Sequence, residues 1–155
     1  MFSYRINNFP QFIKKVFYDH DISKLDLGIN RTQTNILMFV SENSEKSMSE
    51  ISLMTGLEKS SFTRSVDYLV KNEFITRNSS ENDRRIVKLS LTNKGIKAAK
   101  LIKNDFDEFL ESLISDFSEK DKKDFFESLD GTSKYINRIL DGNKKMTAAK
   151  QHFLE

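Results

Sequence analysis

Between residues 47 and 91 the chain sets out a short helix, a one-glycine stop, a second helix and two alternating segments around a polar loop, and few folds accept that order in so little chain. Ser47 and Glu50 have capping-box spacing ahead of Ile51, Leu53 and Met54, and Gly56 ends the helix after about two turns. In the next helix Phe62, Val66, Leu69 and Val70 recur at i, i+4, i+7 and i+8, with Ser60, Arg64, Asp67 and Lys71 opposite. One face is therefore packed and the other presented. Ile75 to Arg77 leads into the polar tract 78–83, after which Val87, Leu89 and Leu91 alternate with Lys88 and Ser90. Period-two alternation on both sides of a polar loop predicts a β-hairpin. The whole reads as a helix-turn-helix followed by a wing.

The flanks are helical. Ile6, Phe9, Ile13, Val16 and Phe17 form one stripe of a helix from about Asn8 to near His20, with Pro10 in its first turn. Residues 21–29 read as connection, and Asn30 with Gln33 can cap reciprocally before the buried run Ile36, Leu37, Phe39 and Val40. Thr92 caps a helix with the stripe Ile96, Ala99, Ile102, Phe106, Phe109, Leu110 and Leu113. Ser118 and Asp121 start a last long helix carrying Phe125, Leu129, Ile136, Ile139 and Leu140, with Gly131 as a weak spot inside it and Gly142 as its end. The fold class is mainly α with a small antiparallel β-wing.

The 155 residues suit one domain with helical extensions, and 37% hydrophobic residues with five Gly and one Pro are enough for a packed core. Absence of Cys removes disulfides, thiolate zinc sites and thiol redox chemistry, and fits a reducing cytoplasm. The longest apolar run, residues 36–40, is far short of the ~18 a membrane span needs, so no membrane partner is expected. Glycines scattered at 28, 56, 95, 131 and 142 make no phosphate loop, and no His-Glu-x-x-His pair or nucleophile with a base occurs. The chain does not read as an enzyme, and neither cofactor nor metal is expected.

Charge is uneven. Residues 59–97 hold nine Lys and Arg against four Asp and Glu, a net +5, whereas residues 98–141 hold seven against eleven, a net −4. A basic middle points to a polyanion, here double-stranded DNA. Lys59, Ser60, Ser61, Thr63 and Arg64 crowd the start of the second helix, where small hydroxyls allow close approach and an arginine can fork onto guanine. Arg84 and Arg85 at the hairpin suit a narrow minor groove, and Asp83 reads as the wing-stabilising partner of a nearby arginine. Asp105, Asp107, Glu108 and Glu111 read as a solvated face, and His20 as a cap or surface residue. Most of the thirteen Phe read as core and dimer interface rather than effector pocket.

These residues resemble the MarR family of winged helix-turn-helix transcription regulators. Asp83, Arg84, Arg85, Val87, Leu89, Leu91, Thr92 and Gly95 are similar to its D-R-R…V-x-L-T-x-x-G pattern, and residues 55–77 to its T-G-L-x-x-S-x-x-x-R-x-V-D-x-L-x-x-x-x-x-I-x-R pattern. Together they cover about residues 27–101. The resemblance implies a homodimeric repressor of a pseudo-palindromic operator, often released by a small phenolic or lipophilic effector, an oxidant or a metal. It implies major-groove contacts from Ser60, Ser61, Thr63 and Arg64, a minor-groove contact from Arg85, and weaker phosphate contacts from Ser49 and Thr32. The layout then divides into an N-terminal dimerisation helix and connection (1–29), a DNA-binding module (30–95), C-terminal dimerisation helices (96–142) and a polar tail (143–155).

Glu58 departs from the pattern, standing where the family commonly has a capping Ser, and this weakens the cap and sets a carboxylate near the DNA-facing end. Lack of Cys excludes thiol switches, and two histidines, His20 and His152, are too few for a His-rich zinc sensor. The effector-binding residues are unassigned. Three alternatives stay open: a winged-helix protein–protein module without DNA binding, an activator or architectural regulator with no effector, and a monomer that folds its long helices back.

Overall fold

The computed structural model describes residues 8–17, 19–79 and 85–152, so the sequence-predicted Asp83 and Arg84 lie outside the described residues, as does Ile6. The chain resolves into two compact units, residues 1–110 and 111–155. In the first, α1 (Phe9–Phe17) is followed by a 3-10 turn (Ser23–Leu25), α2 (Arg31–Glu42), α3 (Met48–Thr55), α4 (Lys59–Lys71), β1 (Ile75–Ser79), β2 (Val87–Leu91) and most of α5 (Asn93–Leu113). In the second, α6 (Glu119–His152) is the long element.

The predicted starts are present as bonds. Asn30 accepts from the Gln33 amide at 3.0 Å while the Gln33 side chain accepts from the Asn30 amide at 2.8 Å, and Ser47 with Glu50 repeats the exchange. Each box satisfies two amides that a helix start leaves without partners. Gly56 closes α3 in the left-handed region, φ 63°, where a Cβ would be strained. Glu58 opens α4 with no side-chain cap bond, as its substitution for Ser predicts.

One core holds the first unit together. Ile36, Leu37 and Val40 of α2 meet Ile51 of α3, then Phe62, Val66 and Leu69 of α4, Phe74, Ile75 and Leu89 of the wing and Ala98 and Ile102 of α5. Burying Phe62, Val66 and Leu69 contributes about 5–8 kcal/mol to fixing α4. The two strands pair antiparallel, Ile75 opposite Leu91 through Ser79 opposite Val87. Thr92 accepts from the Gly95 amide at 3.0 Å, so α5 starts where expected. A Cβ on Gly95 would lie 2.0 Å from the Phe74 carbonyl oxygen, which is why only glycine fits there.

Four expectations are corrected. The buried seam of α5 is Gly95, Ala98, Ala99, Ile102 and Asp105, spaced by three and four, so Ile96 falls off it and is 54% exposed. Asp105 is buried instead of solvated, and His20 is buried instead of a surface residue, because each compensates the other. Finally, α6 passes Gly142 and continues to His152. A glycine costs a helix about 1 kcal/mol, and the Lys144, Lys145, Met146, Ala148 and Ala149 that follow favour propagation over a stop. In the second unit Ser118 caps α6 through the Asp121 amide, and the Phe117 and Phe125 rings meet edge to face at 6.1 Å. Among the described residues no helix is long and apolar enough to cross a membrane.

Candidate nucleic-acid interface

With its apolar face in the core, α4 turns Lys59, Ser60, Arg64, Asp67 and Lys71 outward, while Ser61 and Thr63 are half-buried. The Thr63 hydroxyl donates to the Lys59 carbonyl at 2.8 Å, which leaves it an acceptor and a methyl to offer. Arg64 Nε donates to the Ser60 carbonyl at 3.3 Å, and this holds the guanidinium near the first turn of the helix.

Beside α4, an open groove of about 710 Å³ runs between α3, the start of α4 and the base of β2. Ser49, Lys59, Thr63 and Arg85 all line it, together with the apolar Leu53 and Ile86. Four residues singled out in the sequence thus converge from α3, α4 and the turn before β2, two of them cationic. Ser60, Ser61 and Arg64 do not line it, and Thr32 sits apart in the first turn of α2.

Several contacts were not legible in the sequence. Arg77 of β1 donates to the Asp67 carboxylate at 2.6 Å, tying the wing to α4. The Tyr68 hydroxyl donates to the Gly28 carbonyl at 2.6 Å, and so reaches the connection upstream of α2. At the other end of that connection, Asp105 takes His20 Nε2 and Lys24 Nζ, each at 2.6 Å. Burial pushes the Asp105 carboxyl up, but hydrogen bonds from Lys24 and His20, with their charges, outweigh it and hold it below the ordinary carboxylate range. The same bond to Asp105 raises the Lys24 ammonium. His20 also stacks on Phe109 with centroids 4.2 Å apart, and Arg31 donates to the His20 carbonyl. Partners 85 positions apart leave no local signal.

A second hollow, about 500 Å³, opens between α1, the connection, α2 and α5. Its walls include Val16, Ile22, Met38, Phe39, Ile102 and Phe106, with Arg31 and Lys103 as the cations. No group of three His, Asp or Glu residues that could hold a metal occurs among the described residues.

The MarR family model matches residues 27–86, from the connection to the residue before the second strand. The HTH-type transcriptional regulator YpoP of Bacillus subtilis is 30% identical over 121 residues, covering 76% of this chain and 75% of that protein. The transcriptional repressor MprA of Escherichia coli is 40% identical over 70 residues, 44% of this chain and 40% of that one. Among solved structures, Streptococcus pneumoniae FabT in complex with DNA aligns with a TM-score of 0.67 at 22% identity, over 88% of this chain and 99% of that chain.

Proposed function

Because the chain belongs to the MarR family of winged helix-turn-helix transcriptional regulators, we propose that it is a sequence-specific DNA-binding repressor that acts as a homodimer in the cytoplasm. The observation that carries this reading is the groove in which Ser49, Lys59, Thr63 and Arg85 meet beside the exposed face of α4. It has the shape and charge to follow a phosphate backbone while α4 lies in the major groove. Lys59, Ser60, Ser61, Thr63 and Arg64 are assigned to that groove, Arg84 and Arg85 to the neighbouring minor groove, Ser49 and Thr32 to phosphates, and Asp83 to holding the wing. That MprA is a repressor and that FabT was solved on DNA support the reading.

What supports the homodimer is the exposed apolar residues of the long α6. Tyr135, Ile136 and Ile139 of α6 are exposed at spacings of one and three, the pattern of a face covered by a second copy. In this reading residues 1–29 and 96–142 dimerise, residues 30–95 bind DNA, and two copies of α4 sit about 34 Å apart on one face of a pseudo-palindromic operator. The hollow beside α1 has the size and apolar walls for a small phenolic or lipophilic effector that releases DNA.

The test is affinity for the DNA upstream of its own gene against a scrambled duplex over a salt series, with Arg85→Ala in parallel. A steep salt slope, preference for the native fragment and weaker binding by the variant are expected. Salt-insensitive binding of a protein partner, indifferent to Arg64 and Arg85, would favour the interaction-module alternative.

A further inference from the structure

The stretch from His20 to Ile29 is held at both ends by groups from distant elements. At its start, the buried Asp105 carboxylate of α5 receives His20 and Lys24, one on each oxygen. At its end, Tyr68 of α4 donates to the Gly28 carbonyl at 2.6 Å. Between them the backbone has little freedom. Asp21 accepts from the Ser23 amide at 2.9 Å, Asp26 and Gly28 take left-handed conformations at φ 47° and 66°, and Leu25, Leu27 and Ile29 pack on the core. A segment pinned in this way transmits displacement instead of absorbing it.

We propose that residues 20–29 form a strap that couples α5 to α4, with Asp105 and Tyr68 as the positioning residues at its two ends. While His20 and Lys24 are held by Asp105, the strap presents the Gly28 carbonyl to Tyr68 and fixes the rotation of α4. Detaching the strap from Asp105 lets that carbonyl move and frees α4 to turn about its packed face. His20 and Ile22 also line the 500 Å³ hollow, so whatever enters it bears on the strap. The consequence for DNA rests on the proposed DNA-binding function, whereas the mechanical link does not.

Lys24→Met and Tyr68→Phe test the link, because both sites are on the surface and each change removes one polar contact. The full chain is used with a duplex that the wild-type protein selects from a random pool. Each variant should weaken binding about fivefold, the scale of one hydrogen bond, and the double variant should bind no more weakly than the worse single one. Each is expected to lower the thermal midpoint, and the double variant by less than the sum of the two, because losing either contact already loosens the other. Lys24→Met should also speed amide exchange at Asn72, Glu73 and Phe74, beyond the end of α4.

Additive losses in affinity, or exchange that changes only around residues 23–26, would overturn the strap even if the protein binds DNA well. If the wild-type protein selects no duplex, the DNA-binding reading fails and control of DNA by the strap fails with it. In that case the exchange result alone decides whether α5 and α4 are linked.

Discussion

Arg77 of the first wing strand and Asp67 of α4 lie 2.6 Å apart, so the carboxylate on the exposed face of the helix is already neutralised by a residue of the wing. Both side chains are partly exposed, 35% and 55%, and such pairs contribute little to stability, about 0–1 kcal/mol. On the proposed DNA-binding reading its larger effect is on the potential that phosphate would meet. Arg77→Ala should leave Asp67 as a free negative charge, with a loss of DNA affinity that exceeds the loss of stability. Asp67→Asn in the same chain should restore much of that affinity, and a salt titration of the three variants by fluorescence anisotropy checks it.

Arg64 is expected to read a base. Its Nε is occupied by the Ser60 carbonyl, and the rest of the guanidinium fork is free to reach outward from the first turn of α4. Arg64→Ala should cost about 1–3 kcal/mol on a selected duplex and much less on a scrambled one. Equal losses on both would make Arg64 a phosphate contact.

Glu58 leaves the start of α4 without a side-chain cap. Glu58→Ser should raise stability by about 1 kcal/mol, seen as a higher urea midpoint with unchanged slope. It also removes a carboxylate near the proposed DNA contacts, so DNA binding should tighten as well. A variant that stabilises the fold but weakens binding would mean that Glu58 contacts DNA favourably.

Local chemistry was what the sequence made legible. The capping residues Asn30, Ser47, Thr92 and Ser118, the Gly56 stop and the alternation of β2 each act within four residues, so the sequence alone places them all. Ile96 falls off the seam despite its spacing, because an apolar residue near a stripe looks the same as one on it until the partner surface fixes the seam. The burial of Asp105 and His20 is illegible for a related reason. A charged residue reads as solvated unless its partner is known, and that partner is 85 residues away. Of the candidate interface, the residue types were evident from the motif. The convergence of Ser49 and Arg85 on one groove depended on how the wing folds back over α3.

Gly95 tests whether the wing and α5 are as closely packed as the geometry requires. Its missing side chain leaves room for the Phe74 carbonyl, which a Cβ would meet at 2.0 Å, and the obstacle is backbone that cannot rotate away. Gly95→Ala should therefore destabilise by about 3 kcal/mol, the upper range for overpacking, despite alanine's better helix propensity. Equilibrium urea unfolding measures this, and an unchanged or higher midpoint would refute the close approach.

The buried Asp105 should also shape the response to acid. Its carboxyl is held below the ordinary value near 3.8, so its contribution is complete above that value and is lost as pH falls through the lower folded value. Lys24 runs the other way: raised above 10.5, it contributes fully below that value and is lost only as pH rises past its folded value. Between these limits the cluster is insensitive to pH on account of either group. Asp105→Asn should cost about 2 kcal/mol at neutral pH, because two donors lose an anionic acceptor. As pH drops below about 3.8 the wild-type protein should lose this advantage, so that the stability curves of the two proteins converge. Chemical denaturation at a series of pH values reads the gap directly. A gap that stays constant down to the lowest pH at which both still fold would mean that Asp105 is not held as a charged acceptor by His20 and Lys24.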